Sequence, residues 1–527
     1  MKYFSWRLWR DGRRKIQVTI RAESTKKASI PPGFFWWIGL FDVYLRRIKT
    51  LCTMKNIIGR EREIELLKQY INSSKSEFIA VYGRRRVGKT YLIDQLLRKD
   101  FAFSLTGIID GKKDAQMAAL KDAFDFYGVN PQKQPHNWMD AFTELRKFLQ
   151  PKVDGDQKCI MFIDELPCLD YKGSSLIEAL GYFWNNWASK YPNFKLIVCG
   201  SATSWMIKNI IDSKGGLHNR ITHEMHLHPF CLGETRQYLI SQNVIWDDLS
   251  YLQAYMVLGG IPYYLGLLDG KYSLAQNIDN LFFSQEGEMR REFSRLFKTL
   301  FSSSEPYIEI IKILAKNSGG MTRDEIAKKL GKKDNGHLSD RLEDLKNCDF
   351  IRFYNVKVNK ISAKNGIYQL TDFYTAFYLR FVNKNSVDGH YWGAHLMSGE
   401  LKAWAGLTFE KVAMVHIDQI KRKLHIDYMS CEYYSCRLSD AQIDLVIERA
   451  DSVINICEIK YSVDKYLISK SEYDKVLHRV DAFTRETKSD KFSIQPIFIT
   501  TKGLADGMYS KSIRFDVTLD DLFEVVK

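Results

Sequence analysis

One short run of residues has the composition of a phosphate-binding loop. Residues 83–90 have the sequence GRRRVGKT, which fits the pattern GxxxxGK[ST]. Glycines let backbone N–H groups approach phosphate oxygens closely, and a helix that follows the loop adds the positive end of its dipole. Lys89 would reach the β- and γ-phosphates of ATP, and Thr90 would ligate Mg²⁺. The residues predicted to bind the nucleotide here are Gly83, Arg84, Arg85, Arg86, Val87, Gly88, Lys89 and Thr90.

A second run ends in two acidic residues. Residues 158–165 (KCIMFIDE) predict a buried strand that ends at Asp164 and Glu165, the Walker B arrangement. Asp164 would hold Mg²⁺ through water, and Glu165 would orient or deprotonate the attacking water. The alternative is a buried strand that ends at a solvated acidic turn.

Strands of one sheet must position these groups. Residues 77–82 (EFIAVY) predict a buried strand before the loop, and YLIDQLLRK predicts a helix after it. Strand, glycine loop and helix are the context that the motif requires. We expect the two strand ends that carry the loop and the acidic pair to be neighbours in a parallel sheet, and the whole interpretation depends on it.

Two further polar residues follow predicted strands. The strand 195–199 (KLIVC) leads to Ser201 and Thr203, of which Ser201 is the better candidate to sense the γ-phosphate or the water. The alternative is a simple helix cap. Arg220 precedes another strand-like stretch and is a candidate arginine finger, with a surface salt bridge as the alternative.

An ordered set of motifs resembles the AAA+/STAND-type ATPase family that is common in archaea and in some bacteria. The set comprises IGRERE at residues 58–63, the loop, FIDELP, CGSA, HNRI…LHPF…GE and GGIP at residues 259–262. The resemblance covers roughly residues 55–290. It implies that Gly59 and Arg60 begin the helix leading to the adenine pocket, and that Pro262 touches the base from a helical lid. Basic residues within the loop also fit this family.

The middle of the chain has the pattern of a winged helix-turn-helix. Helix patterns at 306–315, 323–331 and His337–Asn347 precede the alternating run Asp349–Val358 and the short strand 367–370. Five basic residues could face DNA phosphates: Lys328, Lys329, Lys332, Lys333 and Arg341. The alternative is a module that packs between two domains.

Carboxylates and a lysine line up after residue 400. Glu410 follows Phe409 at the predicted opening of a helix, and Asp444 and Glu458 lie on two predicted strands. Their separation of 14 residues suits adjacent antiparallel strands, and period-two alternation puts Glu458 and Lys460 on one face. The carboxylate pair would bind Mg²⁺, while Lys460 would lower the pKa of the attacking water or stabilise the transition state.

This pattern resembles the PD-(D/E)xK nuclease fold over roughly residues 400–527. The resemblance implies catalytic roles for Glu410, Asp444, Glu458 and Lys460, with the run 494–500 (IQPIFIT) as another core strand. The usual proline before the first acid is absent, because Ile443 stands there. An inactive domain of the same fold and an exposed salt-bridged hairpin are the alternatives.

The positive charge of the chain is weak evidence that residues 54–527 bind nucleic acid. Residues 1–53 carry 12 Lys and Arg against three Asp and Glu, so +9 of the formal charge of +14 lies there. We interpret this segment as a misassigned translation start before Met54, with a membrane-surface anchor as the alternative; its apolar run 34–45 is too short to span a bilayer. The nine scattered cysteines predict neither disulfides nor a zinc site, and they favour a reducing cytoplasm.

The sequence predicts an α/β protein in several parts. A P-loop NTPase parallel sheet with a helical lid is followed by a winged helix-turn-helix and a C-terminal α/β restriction-endonuclease-like domain. The predicted boundaries are 1–53, 54–230 (ATPase core), 231–300 (lid), 301–385 (winged helix) and 400–527 (nuclease-like). We expect ATP and Mg²⁺ as cofactors, DNA as a partner, self-association and no transmembrane segment. The alternative function is a nucleotide-dependent signalling or defence switch whose nuclease-like domain is silent and binds partners.

Overall fold

The computed structural model describes most of the chain after residue 56. The described residues are 2–10, 14–22, 57–301, 303–331, 337–354, 356–357, 366–384 and 389–526, with the backbone alone at 2–10, 14–22 and 356–357. Lys332, Lys333, Val358 and the apolar run 34–45 lie outside them. The chain divides into two compact units, residues 1–57 and 58–527.

The first unit contains an antiparallel pair of strands. Strand β1 (Lys2–Arg10) pairs with β2 (Arg14–Ala22) in a register that runs from Lys2 opposite Ala22 to Arg10 opposite Arg14. The second unit contains all the residues for which chemistry is predicted. The boundaries predicted between residues 58 and 527 therefore fall inside one compact unit.

A five-stranded parallel sheet forms the centre of residues 57–230. Its strands are β3 (Glu77–Tyr82), β4 (Phe101–Thr106), β5 (Cys159–Asp164), β6 (Phe194–Gly200) and β7 (His223–His226). They lie in the order β4-β5-β6-β3-β7, and every neighbouring pair is parallel. Every residue of β3, β5 and β6 is buried, which explains why their sequences are mainly apolar.

The expected adjacency of the two motif strands is wrong. Strand β6 lies between β3, which carries the loop, and β5, which carries the acidic pair. Both strands still end at the same edge, about 10 Å apart at roughly 4.8 Å per strand. Adjacency was too strict a requirement, because side chains beyond the strand ends can span the intervening strand.

Helices cover both faces of this sheet. They are α1 (Glu61–Ile71), α2 (Lys89–Leu97), α3 (Lys113–Tyr127), α4 (Trp138–Val153), α5 (Leu166–Leu169), α6 (Leu176–Asn186) and α7 (Thr203–Met206). Short 3₁₀ turns occur at Arg98–Asp100 and Ala188–Lys190, and a π-helical turn occurs at Ile207–Ile211. The buried core includes Phe103, Phe124 and Phe142, which pack beside Phe183 and Trp184.

Residues 231–300 are helical, as predicted for this range. The helices are α8 (Leu232–Ser241), α9 (Asp248–Leu258), α10 (Pro262–Leu265), α11 (Leu274–Ile278) and α12 (Glu288–Leu300), with a π-helical turn at Asp279–Phe283. Helix α9 ends at Gly259 with φ of 69°, a left-handed conformation that favours glycine.

The middle segment combines helices with very short strands. Its elements in order are α13 (Glu305–Ala315), β8 (Met321–Thr322), α14 (Arg323–Leu330), α15 (His337–Asn347), β9 (Ile351–Tyr354), β10 (Val356–Lys357), β11 (Ile367–Leu370), α16 (Phe373–Phe377), a π-helical turn at Tyr378–Val382 and α17 (Tyr391–His395). Strands β8, β11 and β9 form an antiparallel sheet in that order. The run 349–358, predicted as one strand, is two strands that belong to different sheets.

The C-terminal segment is built on a six-stranded mixed sheet. Its elements are α18 (Gly399–Val415), α19 (Ile417–Lys423), β12 (Cys431–Arg437), β13 (Gln442–Arg449), β14 (Val453–Lys460), α20 (Lys470–Thr487), β15 (Ser493–Thr500), a 3₁₀ turn at Ser510–Ser512, β16 (Asp516–Val517) and α21 (Leu519–Leu522). The order is β10-β12-β13-β14-β15-β16. Strands β12, β13 and β14 are antiparallel in turn, whereas β14, β15 and β16 are parallel.

Two details of the C-terminal segment differ from expectation. Strand β10 of the middle segment pairs with β12, so the two segments share a sheet. Helix α18 begins at Gly399 rather than at Phe409, because the Ser398 side chain caps it by accepting a hydrogen bond from the backbone of Leu401. Glu410 therefore lies in the interior of a helix. None of the helices in the described residues is long and apolar enough to cross a membrane.

Candidate functional site

The loop after β3 has the backbone conformation that a phosphate cradle needs. Gly83 has φ of 145°, and a Cβ there would lie 2.3 Å from the carbonyl oxygen of Leu227. Gly88 has φ of 93° and open space around its missing side chain. Helix α2 starts at Lys89 with no side-chain cap, so its first N–H groups point towards a site for an anion.

The lysine of the loop is held against the loop itself. The Lys89 ammonium donates hydrogen bonds to the carbonyl oxygens of Gly83 at 2.8 Å and Arg84 at 3.1 Å. The side chain is buried, with a residue exposure of 5%. A buried ammonium at the start of an uncapped helix favours negative charge in the loop.

The two motifs meet through a hydroxyl and a carboxylate. Thr90 Oγ1 donates a hydrogen bond of 2.9 Å to Asp164, and the backbone N–H of Glu165 donates to the other carboxylate oxygen at 3.0 Å. Burial, with the nearby charge of Glu165, raises the pKa of Asp164. Mg²⁺ prefers oxygen ligands of these two kinds, and a cation would favour the ionised carboxylate. The residues therefore fit a Mg²⁺–nucleotide.

Ser201 fixes the second acidic side chain. A carboxylate oxygen of Glu165 accepts hydrogen bonds from the Ser201 backbone N–H at 3.1 Å and from its hydroxyl at 2.9 Å. Helix α7 is capped by Ala202 without a side-chain bond, so the helix-cap interpretation is wrong. Thr203, the second candidate, is fully buried at the first position of α7.

Arg60 ties the loop to the strand beyond it. Its guanidinium donates to the carbonyl oxygens of Val87 at 3.3 Å and His228 at 2.6 Å, and it stacks over Phe230. Its backbone N–H donates to Glu234 at 2.9 Å. The segment at Gly59 and Arg60 is thus fastened beside the loop.

Two arginines of the loop contact acidic side chains elsewhere in the fold. Arg84 is buried, forms an ion pair with Asp372 and lies 4.8 Å from the centre of the Phe350 ring. Burial lowers the pKa of Arg84, but the charge and hydrogen bond of Asp372 outweigh burial and raise it. Arg86 pairs with Glu292 at 2.5 Å.

These contacts change what the arginines were expected to do. The side chains of Arg84 and Arg86, predicted to bind the nucleotide, face carboxylates of the middle and helical segments. Backbone amides of the loop and the half-buried Arg85 remain for phosphate contact. Arg86 also lies 4.2 Å from the centre of the Tyr263 ring, which places the start of α10 at Pro262 next to the loop.

Arg220 lies at the wrong edge of the sheet to act on its own nucleotide. It is exposed, and it precedes Thr222, whose backbone N–H donates to Phe78 at the start of β3. A six-residue strand spans about 20 Å, so the loop lies at the far end of β3. Within a single chain an arginine-finger role is wrong, and only a second copy could supply one.

The predicted acidic strands pair as expected. In the register of β13 and β14, Leu445 lies opposite Cys457, so Asp444 and Glu458 are the next opposed pair. Glu458 pairs with Lys460 at 2.7 Å and with Arg479 of α20 at 2.6 Å. No spacing in the sequence marked Arg479.

Glu410 lies close enough to the acidic pair for their charges to interact. Burial, with the charge of Asp444, raises the pKa of Glu410 to about 7, although Lys460 opposes the shift. Burial and the charge of Glu458 also raise the pKa of Asp444. Glu410 and Asp444 line a cavity of about 550 Å³. Four basic residues share that cavity, namely Lys316, Arg352, Lys411 and Arg437.

The third helix of the predicted winged helix-turn-helix, α15, contacts the ATPase segment. Asp344 of α15 accepts hydrogen bonds from Lys208 at 2.9 Å and from Tyr307 at 2.8 Å. A cavity of ≈ 330 Å³ lies between α15 and the residues after β6, and Arg341 and Trp205 line it. This arrangement favours the alternative of a packing module between two domains. Lys328 and Lys329 are exposed on α14.

One cluster escaped the sequence analysis. His226, His228 and Asp349 place one potential metal-ligand atom each within 4.8 Å of the others, the single such group of three among the described residues. Glu410, Asp444 and Glu458 are therefore not gathered as closely. The signal available in the sequence was the histidine pair at spacing two, on one face of a strand. Only the fold brings Asp349 to it.

Comparisons with known proteins agree with this geometry. The model of an ATPase domain described as predominantly from Archaea matches residues 57–268. The protein MJECL04 of Methanocaldococcus jannaschii is 26% identical over 370 residues, which cover 69% of this chain and 78% of that protein. The ATP-binding protein MJ0423 of the same organism is 48% identical over 40 residues, which cover 8% of this chain and 68% of the relative.

Two solved structures are among those to which the chain is similar in part. The Walker-type ATPase PABY2304 of Pyrococcus abyssi has 20% identity and a TM-score of 0.43, covering 62% of this chain and 96% of that one. The ORC2 protein of Aeropyrum pernix, in ADPNP-ADP complexes, has 16% identity and a TM-score of 0.35, covering 62% and 94%. The family model and the 48% identity to MJ0423 over 40 residues show that residues 57–268 of this chain belong to the family of ATPase domains found predominantly in Archaea.

Proposed function

We propose that the chain binds and hydrolyses ATP at the loop of residues 83–90. The contact between Thr90 and Asp164 carries this proposal, because it brings the ends of two separate motifs to one point where a nucleotide-bound cation would sit. Lys89 neutralises phosphate charge from the floor of the loop. Pro262 and the segment at Gly59 and Arg60 border the base.

The residues divide the work between binding and chemistry. Bound Mg²⁺ supplies charge neutralisation for the triphosphate, and the oxygens of Thr90 and Asp164 are the groups that would hold it. Glu165, fixed by Ser201, orients the attacking water or accepts its proton. A carboxylate held by two donors is pre-positioned, which lowers the cost of orienting the water.

ATP turnover by the purified full chain tests the proposal. Phosphate release should require Mg²⁺ and should fall to background in Asp164→Asn, which keeps the shape but loses the charge. The matched control is Asp154→Asn, which makes the same substitution at an exposed residue at the end of α4 and should leave turnover unchanged. Equal Mg²⁺-dependent turnover by all three proteins would overturn the assignment of the site.

The same loop supports a role as a switch. Arg84 reaches Asp372 at the start of α16, and Arg86 reaches Glu292 on α12, so the loop touches both the helical and the middle segments. A loop that reorganises around phosphate would alter these contacts. Nucleotide occupancy is thereby communicated to the rest of the chain.

The second proposed activity is Mg²⁺-dependent action on DNA by the C-terminal segment. The opposed pair Asp444 and Glu458, with Lys460 at 2.7 Å from Glu458, supports it. Glu410 and four basic residues line the adjoining cavity, a mixture suited to a metal and phosphate groups. Under this proposal residues 400–527 are a nuclease-like domain, and the helices and strands at 305–370 are a winged helix between it and the ATPase.

Incubation with DNA distinguishes an active nuclease from a silent one. The full chain with Mg²⁺, with and without ATP, should cut DNA, and Glu458→Gln should not. Glu432→Gln, on the neighbouring strand β12, serves as a control of equal charge change. If the wild-type chain binds DNA or a partner in an ATP-dependent way but cuts nothing, the switch with a silent domain replaces the nuclease. Cutting that is equal in Glu458→Gln would remove the site.

The described cysteines bear on location. The eight cysteines of the described residues are all free, as a reducing compartment favours. This supports a cytoplasmic protein. Fractionation of cells that express the chain from its own gene would test it, and recovery with membranes would count against it.

A further inference from the structure

Two histidines and an aspartate converge beside the nucleotide loop. His226 is the last residue of β7, and His228 lies two residues further on. Asp349 lies between α15 and β9, more than 100 residues later, at φ of 58°. None of the three has a role in the function proposed above.

Their atoms have the spacing of a coordination shell. Asp349 Oδ2 lies 3.3 Å from His226 Nε2, and Asp349 Oδ1 lies 3.1 Å from His228 Nδ1. Ligands around a tetrahedral zinc ion at bonds of about 2.0–2.1 Å lie roughly 3.3–3.4 Å from one another. The two imidazole centroids are 3.8 Å apart, so the two rings are in contact.

Hydrogen bonding does not account for all of these contacts. The Nε2 atom of His226 is buried and has no hydrogen-bond partner among the described residues, despite its closeness to Asp349. A buried ring nitrogen whose neighbouring acceptor is poorly placed for a hydrogen bond is costly in a folded protein. His228, by contrast, is exposed and leaves the cluster open to solvent, which provides an entry path for an ion.

We propose that His226, His228 and Asp349 bind one divalent transition-metal cation, with Zn²⁺ as the matching chemistry. Two neutral imidazoles and one carboxylate are ligands that zinc accepts, whereas Mg²⁺ prefers an all-oxygen shell. Three protein ligands leave the fourth position for water. The sequence predicted no zinc site because its cysteines lack metal-ligand spacing, whereas this cluster consists of two histidines and an aspartate.

The ion would link the ATPase segment to the middle segment beside the nucleotide loop. Two ligands belong to the edge strand of the ATPase sheet and its extension, and the third belongs to the middle segment. Between the histidines, the backbone N–H of Leu227 donates to Tyr82 at 2.7 Å, the residue just before the loop. Arg60 joins the carbonyl oxygens of His228 and Val87. Metal binding would therefore hold the middle segment against the wall of the nucleotide site.

Zinc titration of the full chain tests the proposal. Chelator-treated, dialysed wild-type protein without nucleotide is titrated with Zn²⁺ in a calorimeter, beside His228→Ala and Asp349→Asn. The control is His136→Ala, an exposed histidine in the loop before α4. One equivalent should bind to wild type and His136→Ala. Loss of one ligand should weaken the affinity for Zn²⁺ by more than about 10-fold, since even the loss of a residue that only hydrogen-bonds to a ligand lowers metal affinity by about 10–100-fold.

A spectroscopic measurement separates this site from acidic sites elsewhere. Co²⁺ bound to wild type should give visible absorption bands typical of a low-coordinate nitrogen and oxygen site, and His228→Ala should lose them while Asp444→Asn keeps them. Because His228 is exposed, its substitution should leave the fold intact, which circular dichroism checks. Unchanged affinity and spectra in both His228→Ala and Asp349→Asn, or no binding by wild type, would overturn the proposal.

Discussion

The hydroxyl of Thr90 lies 2.9 Å from a carboxylate oxygen of Asp164, although strand β6 separates the two strands that carry their motifs. The first turn of α2 places the hydroxyl beyond the edge of the sheet, where Asp164 ends β5. The position for a metal ion is therefore set by side chains that reach over an intervening strand.

Removing the lysine of the loop should weaken nucleotide binding. Lys89→Ala deletes the buried ammonium, and charge-assisted hydrogen bonds are worth about 1.5–3 kcal/mol each, so we expect at least about 10–100-fold weaker binding of ATP. Fluorescence titration with a labelled ATP analogue measures it. Lys99→Ala, on the exposed surface after α2, should bind like wild type. Wild-type affinity in Lys89→Ala would contradict the binding mode.

Substitution of the second acid should separate binding from hydrolysis. Glu165→Gln keeps a side chain that can contact Ser201 but cannot accept a proton, so turnover should fall by about 10²–10⁴-fold. Affinity for ATP should stay within about threefold of wild type, since this residue is assigned to chemistry and not to binding. Single-turnover hydrolysis and equilibrium titration measure the two effects. A parallel loss of both would argue that Glu165 supports the structure of the site instead.

Breaking the ion pair of the loop should destabilise the fold. Asp372→Asn keeps the cap on α16, where the side chain accepts from the backbone of Thr375 at 2.8 Å, but it leaves the buried Arg84 without a counter-charge. An uncompensated buried charge costs about 3–5 kcal/mol of unfolding free energy. Urea unfolding measures it.

A second substitution gives the control for that prediction. The double variant Arg84→Met with Asp372→Asn removes the charge as well as its partner, and it should recover most of the stability lost in Asp372→Asn. If the double variant is no more stable than Asp372→Asn, the loss arises from packing rather than from the unpaired charge.

Acid should destabilise the protein through His416. Its ring accepts a hydrogen bond from the backbone of Leu232 at 2.9 Å, and its other nitrogen lies 2.8 Å from the carbonyl oxygen of Val412. Burial lowers the pKa of His416 to about 4. The neutral ring is favoured in the fold, so its contribution is complete above the ordinary pKa of about 6.5 and is lost as pH falls towards 4.

The size of that loss is measurable against a variant. The difference between the ordinary pKa of histidine and that of His416 in the fold corresponds to about 3 kcal/mol of unfolding free energy between pH 6.5 and 4. His416→Gln retains an acceptor for Leu232 but does not titrate, so its stability should fall less over the same range. Urea unfolding at both pH values gives the comparison. Parallel loss in the two proteins would show that other groups govern the acid response.

The sequence by itself determined the elements that carry the chemistry. The loop of residues 83–90 and the acidic end at Asp164 could be assigned because each motif is local, and glycine, lysine and carboxylate spacing follows from backbone geometry. The pairing of Asp444 with Glu458 was also predictable, since two strands joined by a short turn pair in a register that the chain length sets. The predicted start of the helix that carries Glu410 was too late, because its capping residue, Ser398, lies well before the apolar run that begins at Phe409.

Only the tertiary structure decided which distant groups meet. The order β4-β5-β6-β3-β7 cannot be inferred from motif spacing, because parallel strands separated by helices can be arranged in several ways. Because of the direction of β7, Arg220 lies at the edge of the sheet opposite the loop. Arg84 pairs with Asp372 because the segments that carry them pack together. Packing also brings Asp349 to His226 and His228. Contacts between residues more than 100 positions apart depend on how whole elements pack, whereas a local motif depends only on the short stretch of chain that joins its residues.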